Sequence, residues 1–357
     1  MPAALNDDWP VTTPAEVGLN AARLSELDKF LEQWPKHNIH AVVIARRGKL
    51  VLERYFSGED ERWVETPVRF SPGDLHDIRS ISKSVTSLLV GIARGEGKFP
   101  SFESSVIDFF PEYADLRTAE NACITFQHLL TMSHGLLWDE GKPWKDPANN
   151  ERLMLEAKDP YRYVFEQPMA LPPGVLFNYC GGATSLLAAA LAKAVNRKID
   201  DYAKEKLFEP LAISDFEWLC FTGSTEIAAF GGLRLKPRDL AKIGQLMADD
   251  GRWNGKPVLP AGWVAESARP RVNPEGYGSL YYGYQWWLGR SLLSGHDLCW
   301  IAGFGNGGQR LFVVPKLDLV LAINAAHYES PLQGLIPIAI LNRFLMPAVN
   351  DYPSRFA

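Results

Sequence analysis

The stretch IRSISKSVTSLLVGIARGEGKF, Ile78 to Phe99, sets two serines, Ser80 and Ser82, just ahead of Lys83 and then continues as an apolar, helix-like run. If a helix starts near Ser80, Lys83 lies one turn on and on the same face, because positions i and i+3 are neighbours while i and i+1 are not. Geometry therefore pairs Lys83 with Ser80 rather than with Ser82. A serine hydroxyl is a weak nucleophile until a base takes its proton, and a lysine does this only when burial or charge favours its neutral form. The ordinary lysine value of about 10.4 must then fall. The apolar residues after Lys83 fit a helix buried in the interior. The same tetrad equally suits a serine N-cap followed by a solvated first-turn lysine. It is the only S-x-x-K in the chain.

Outward from this stretch, the pattern changes on both sides. Towards the amino terminus, LNAARLSELDKFLEQW reads as an amphipathic helix, and IHAVVIARRGKLVLERYF reads as two strands around a polar turn at Arg47 to Lys49. From about Ser80 to Asp250 the patterns are mainly helical, broken by proline and glycine loops. Strand patterns return at YGYQWWLG, LCWIAGFG, QRLFVVP and LVLAINAA, with an apolar helix from about Leu332 to Phe344. Tight turns between these runs favour antiparallel pairing. The expected fold class is α/β of the α+β type: an antiparallel sheet flanked by helices, plus a mainly helical lobe. Residues 1–75 and 275–357 are expected to build the α/β lobe, residues 76–274 the helical lobe, with the active site between them.

Composition narrows the functions. The 357 residues, 46% of them hydrophobic, can bury a large core, and the net charge of −5 comes without any basic run that could follow a phosphate backbone. No nucleic-acid partner is expected. MPAALNDDWPVTTPAEVGL carries no basic start with an apolar core, and no apolar run reaches spanning length. A cytoplasmic protein with no membrane partner is expected. Cys123, Cys180, Cys220 and Cys299 are far apart and form no C-x-x-C pair, so they read as reduced thiols, mostly buried. Zinc-protease, Walker and G-x-S-x-G motifs are absent. GFGNGG, Gly303 to Gly308, matches G-x-G-x-x-G, but it leads into another strand rather than into a helix that could meet a pyrophosphate. No cofactor and no metal are expected.

The series SISK, HLLTMSHGLLWDE, PPGVLFNYCGGATSLLAAAL, GGLRLKPRDLAKIGQLMADDGRWNGKPVLP and GFGNGGQRLFVVPKLDLVLAIN spans most of the chain. It resembles the penicillin-recognising serine hydrolases, in particular the class C β-lactamase-related branch with its family VIII carboxylesterases and 6-aminohexanoate-dimer hydrolases. The resemblance implies a β-lactamase/transpeptidase-like fold, with Ser80 as acylated nucleophile, Lys83 as its base and Tyr179, in the Y-x-N position, as proton shuttle. It also puts the glycine-rich strand end in place of the K-T-G strand, with Gly305 and Asn306 near the oxyanion and the Asn306 amide paired with that of Ser80. The sequence departs from the pattern at Gly181, which replaces the asparagine of Y-x-N. Trp138 and Trp286 are candidates for lining the cleft, with core packing the alternative. Cys180 reads as packing, and His128 and His134 as structural.

The expected activity is metal-free hydrolysis of a small ester or amide through a Ser80 acyl-enzyme. The alternatives are a β-lactamase or D,D-peptidase, and a non-catalytic penicillin-binding-like sensor. Sequence leaves the oligomeric state open.

Overall fold

The computed structural model describes residues 2–3, 5, 7–60, 67–293 and 295–352. A seven-stranded antiparallel sheet is drawn from two distant parts of the chain. β1 (Ile39–Arg46) and β2 (Lys49–Tyr55) come from one part; β3 (Tyr281–Tyr282), β4 (Trp287–Leu293), β5 (His296–Gly305), β6 (Gln309–Val314) and β7 (Leu319–Ala325) come from the other. The spatial order is β3-β4-β5-β6-β7-β1-β2. The carboxyl-terminal strands run in sequence by hairpins, and the long-range pair β1 with β7 closes the sheet. In the β1–β2 turn, Arg47 and Gly48 have φ of 52° and 74°. Two successive positive φ values match the right-handed twist of the flanking strands, which is why a polar dipeptide containing glycine sits there.

All eight residues of β1 are buried, and so are all seven of β7. Strands buried on both faces need layers on both sides. The long helices are α1 (Ile81–Gly95), α2 (Gly181–Val195), α3 (Pro237–Ala248) and α4 (Leu332–Ala339). α3 packs on β1, β6 and β7, α1 reaches β5 and β6, and α2 packs against α1. α1 is buried from Ile81 to Ala93, so it is a central rather than a surface helix.

Three elements differ from the sequence reading. The amphipathic pattern near the amino terminus forms two short helices, Ala21–Leu24 and Leu27–Leu31, because the chain breaks at Ser25 and Glu26. The apolar carboxyl-terminal helix carries Pro337, which has no amide to donate, and continues as a π-turn over Ile340–Leu345. α3, read as part of the helical lobe, covers the sheet instead. Its periodicity shows an apolar face but cannot say which layer that face meets.

Candidate active site

α1 begins where the chain turns through Arg79, whose φ of 50° lies in the left-handed region. Ile78 is tied to Leu233 by a backbone hydrogen bond of 3.1 Å, so the approach to Ser80 is fixed from the side. Ser80 occupies the N-cap position of α1, but its side chain makes no capping bond. Its Oγ instead accepts a hydrogen bond of 3.0 Å from Lys83 Nζ. Ser82 is committed elsewhere: its hydroxyl donates to Arg79 O at 2.6 Å and accepts from the Leu233 amide at 3.2 Å.

Lys83 is buried and also donates to Phe230 O at 3.0 Å. Its Nζ stands 4.7 Å from the centroid of the Tyr179 ring, and the Tyr179 side chain interacts with both Ser80 and Lys83. Tyr179 directly precedes Cys180, the N-cap of α2, so packing of α1 on α2 brings the three side chains together. His134 supports this arrangement: one ring nitrogen meets Asn178 O at 3.0 Å and the other accepts from the Leu136 amide at 3.1 Å. His128 joins Thr125 in a capping box. Cys180 is fully buried and accepts from the Ala183 amide, and burial pushes its thiol well above the ordinary value.

Burial pulls the Lys83 ammonium down, but the charges of Tyr179, Glu140 and Glu151 pull it up, and the balance lies above the usual lysine value. Burial also raises the Tyr179 phenol. Glu151 is pushed up to about 8 by burial and by the neighbouring Glu140. At neutral pH Tyr179 is therefore a phenol and Glu151 mostly a neutral acid. In their charged forms Tyr179, Glu140 and Glu151 all hold the proton on the lysine.

Glu140 is the residue sequence reasoning passed over, although it ends the quoted motif HLLTMSHGLLWDE. Its Oε2 accepts from Trp138 Nε1 at 2.7 Å and from the Gly181 amide at 2.6 Å. A Cβ at Gly181 would stand 3.1 Å from Phe230 Cδ2 and 3.4 Å from the same carboxylate oxygen. The asparagine of the Y-x-N pattern is thus absent where Glu140 and Phe230 crowd the position.

These groups open into a cleft of about 880 Å³ whose wall includes Ser80, Trp138, Tyr179, Trp287, Gly305 and Asn306. Gly305 ends β5 so close to the turn before Ser80 that a Cβ there would stand 2.5 Å from Ile78 O. Trp286, grouped with the cleft residues by sequence, is fully buried and is absent from that wall. Adjacent residues in extended chain face opposite ways, so Trp287 takes the cleft side, stacked on Phe304 at 5.5 Å. Arg310 also borders the cleft, donating to Gly305 O and Gln309 O at 2.8 Å each. Burial pulls its guanidinium down to about 10.

A family model described as Beta-lactamase matches residues 36–335. The 6-aminohexanoate-dimer hydrolase of Paenarthrobacter ureafaciens is 26% identical over 353 residues, covering 93% of this chain and 83% of that protein. Among solved structures, a Bacillus anthracis chain provisionally named 6-aminohexanoate-dimer hydrolase superposes with a TM-score of 0.73 at 19% identity, over 93% of this chain and 87% of the other. A family VIII carboxylesterase gives 0.65 at 16% identity, over 91% and 97%. At such identities the two structures speak for the fold alone.

Proposed function

The chain belongs to the beta-lactamase family, and from that premise we propose that it is a serine hydrolase that cleaves a small ester or amide through a covalent acyl-enzyme on Ser80. The observation that carries the proposal is the 3.0 Å contact between Lys83 Nζ and Ser80 Oγ on the wall of an open cleft.

Attack by Ser80 Oγ on the substrate carbonyl requires the hydroxyl proton to leave as the new C–O bond forms, and collapse of the tetrahedral intermediate requires a proton on the departing oxygen or nitrogen. Lys83 in its neutral form takes the first proton, and Tyr179, which reaches both Ser80 and Lys83, delivers the second. Water then attacks the ester, with the same pair as base, and releases the acid. The backbone amides of Ser80 and Asn306 are assigned to the oxyanion, where one such donor is worth about 10²–10³ in turnover. The likeness in sequence to a 6-aminohexanoate-dimer hydrolase supports linear substrates, and so does the replacement of the Y-x-N asparagine by Gly181. Only Cys180 is buried and the other three cysteines are exposed, against the expectation that most are buried; four free thiols suit a reducing compartment, which supports a cytoplasmic location. Among the described residues no helix is long and apolar enough to cross a membrane.

A fluorophosphonate probe tests the nucleophile. Wild-type protein and Ser82→Ala should be labelled, with the adduct on Ser80 by peptide mass, and Ser80→Ala should not. Undiminished labelling of folded Ser80→Ala overturns the assignment.

A further inference from the structure

One wall of the cleft is built of aromatic rings from separate segments. Phe177 stands two residues before Tyr179, Tyr277 comes from the loop ahead of β3, Trp287 opens β4, and Phe304 lies at the end of β5; all four border the cleft. Trp287 is the centre of the group and is only 5% exposed. Its ring is stacked on Phe304, 17° from parallel, and its centroid stands 5.7 Å from Phe177 and 5.0 Å from Tyr282. Aromatic pairs prefer these separations, so the contacts hold the indole in place.

Tyr277 is the loosely held member. It is 49% exposed, yet its ring leans on Trp287 at 5.0 Å and on Phe177 at 6.1 Å. It lies between Gly276 and Gly278, whose φ values of 81° and 68° suit glycine, and a Cβ on either would meet nothing within 4 Å. The loop is therefore bent by its glycines and is not wedged at those two points. Tyr277 is the part of the wall that has room to shift when a group settles beside Trp287.

Where this wall stands relative to the reacting atoms decides which part of a substrate it meets. In acylation the bond from Ser80 Oγ to the carbonyl carbon forms and the bond from that carbon to the leaving oxygen or nitrogen breaks. The Ser80 proton passes to Lys83, and Tyr179 protonates the leaving atom, so the alcohol or amine departs neutral. To take that proton the leaving atom must come within hydrogen-bond reach of the Tyr179 hydroxyl. The Tyr179 ring lies 5.7 Å from Trp287 and 6.3 Å from Phe177, so the substituent on the leaving atom has these rings as neighbours.

We propose that Phe177, Tyr277 and Trp287 form a leaving-group subsite, which selects esters and amides whose departing alcohol or amine carries an aromatic ring, and that Tyr277 sets this preference. The inference rests on the reading of Ser80 as nucleophile and Tyr179 as proton donor. A ring placed there covers apolar surface that water otherwise wets. The subsite acts on acylation alone, because the group it holds has departed before water attacks the acyl-enzyme. Its effect is therefore read in kcat/KM, which measures stabilisation of the transition state relative to free enzyme and substrate.

The test compares benzyl butyrate with methyl butyrate on the full chain. Their alcohols are nearly equally acidic, so the ratio of kcat/KM values reads the ring and not the ease of departure. Methyl phenylacetate carries a similar ring on the acyl side and shows which side the wall serves. Benzyl butyrate should exceed methyl butyrate by at least about tenfold, and methyl phenylacetate should gain less than that. Tyr277→Ala should lower the benzyl-to-methyl ratio at least about threefold, while Tyr277→Phe, which keeps the ring, should preserve it. Labelling of Ser80 by the fluorophosphonate probe checks that each variant is folded. Three results overturn the subsite while the Ser80 assignment stands: a wild-type ratio near one, a larger gain from the acyl-side ring, or an unchanged ratio in labelled Tyr277→Ala. Folded wild-type protein that neither takes the probe on Ser80 nor hydrolyses these esters overturns both.

Discussion

At the scale of single residues, the candidate site turns on the protonation of Lys83. Its ammonium donates to Ser80 Oγ and Phe230 O, so in the resting protein it orients the serine hydroxyl, and it must lose its proton before it can act as the proposed base. Glu140 opposes that loss by placing negative charge beside the buried amine. Removing the charge while keeping the shape should make deprotonation easier. Glu140→Gln is therefore expected to move the acid limb of kcat/KM for a neutral ester to lower pH, since that limb reports the free enzyme's essential base. An unmoved limb would mean that the lysine proton does not govern it. The substitution also alters the acceptor of the Trp138 and Gly181 N–H groups, so the position of the limb, not the height of the plateau, is the measurement that bears on charge.

At the scale of elements, how much was legible depends on whether the signal was local. The β1–β2 hairpin, the carboxyl-terminal strands and α1 each announce themselves by period and turn chemistry, and the i, i+3 spacing of Ser80 and Lys83 is a local fact that the helix makes geometric. Glu140 and Arg310 were not legible as cleft residues, because their place is set by tertiary packing between segments far apart in sequence. The two tryptophans show the same limit: Trp286 and Trp287 are equivalent in composition, and only the direction of the chain decides which one meets the cleft. α3 carries a further case. Helix propensity favours alanine over glycine by about 1 kcal/mol, so Gly244 in mid-helix looks like a defect. A Cβ there would sit 2.6 Å from Val320 Cγ1 and 2.7 Å from Leu311 Cδ1, on the strands that α3 covers. Val320 is stiff at χ1 and β7 is buried throughout, so the clash cannot relax cheaply. Overpacking costs about 1–3 kcal/mol, which outweighs the propensity gain, and Gly244→Ala should lower the urea midpoint at unchanged m-value. A raised midpoint would mean that helix and sheet stand further apart than 2.6 Å implies.

At the scale of the whole molecule, charge is spread unevenly as well as being negative in sum. The net charge is −5, and the cleft wall gathers Asp139, Glu140, Glu151, Glu275 and Glu329 against Lys142 and Arg310. Glu151, raised to about 8, is mostly neutral at pH 7, which leaves four carboxylates against Lys142, Arg310 and the buried Lys83 ammonium behind Ser80. Lys142 is engaged with Asp139 at 3.6 Å, and Arg310 is turned to the carbonyls of Gly305 and Gln309. A cleft lined by an excess of one sign of charge repels ligands of that sign before any contact forms, and the effect reaches about a Debye length. Substrates bearing a carboxylate should therefore be disfavoured whatever their shape, and a cephalosporin shares that liability with an ester of succinic acid. The expected result is that a p-nitrophenyl ester with a short neutral acyl chain exceeds both the matching hemisuccinate and a chromogenic cephalosporin in kcat/KM. The margin should be at least about tenfold at low ionic strength, or roughly 1.4 kcal/mol of differential stabilisation. Salt separates charge from fit: between 0.01 and 0.5 M the screening length falls from about 30 Å to a few ångströms, so the hemisuccinate gap should narrow while relative rates among neutral esters hold. A gap indifferent to salt would assign the discrimination to the shape of the cleft, and a cephalosporin preferred over every neutral ester would favour β-lactam hydrolysis instead.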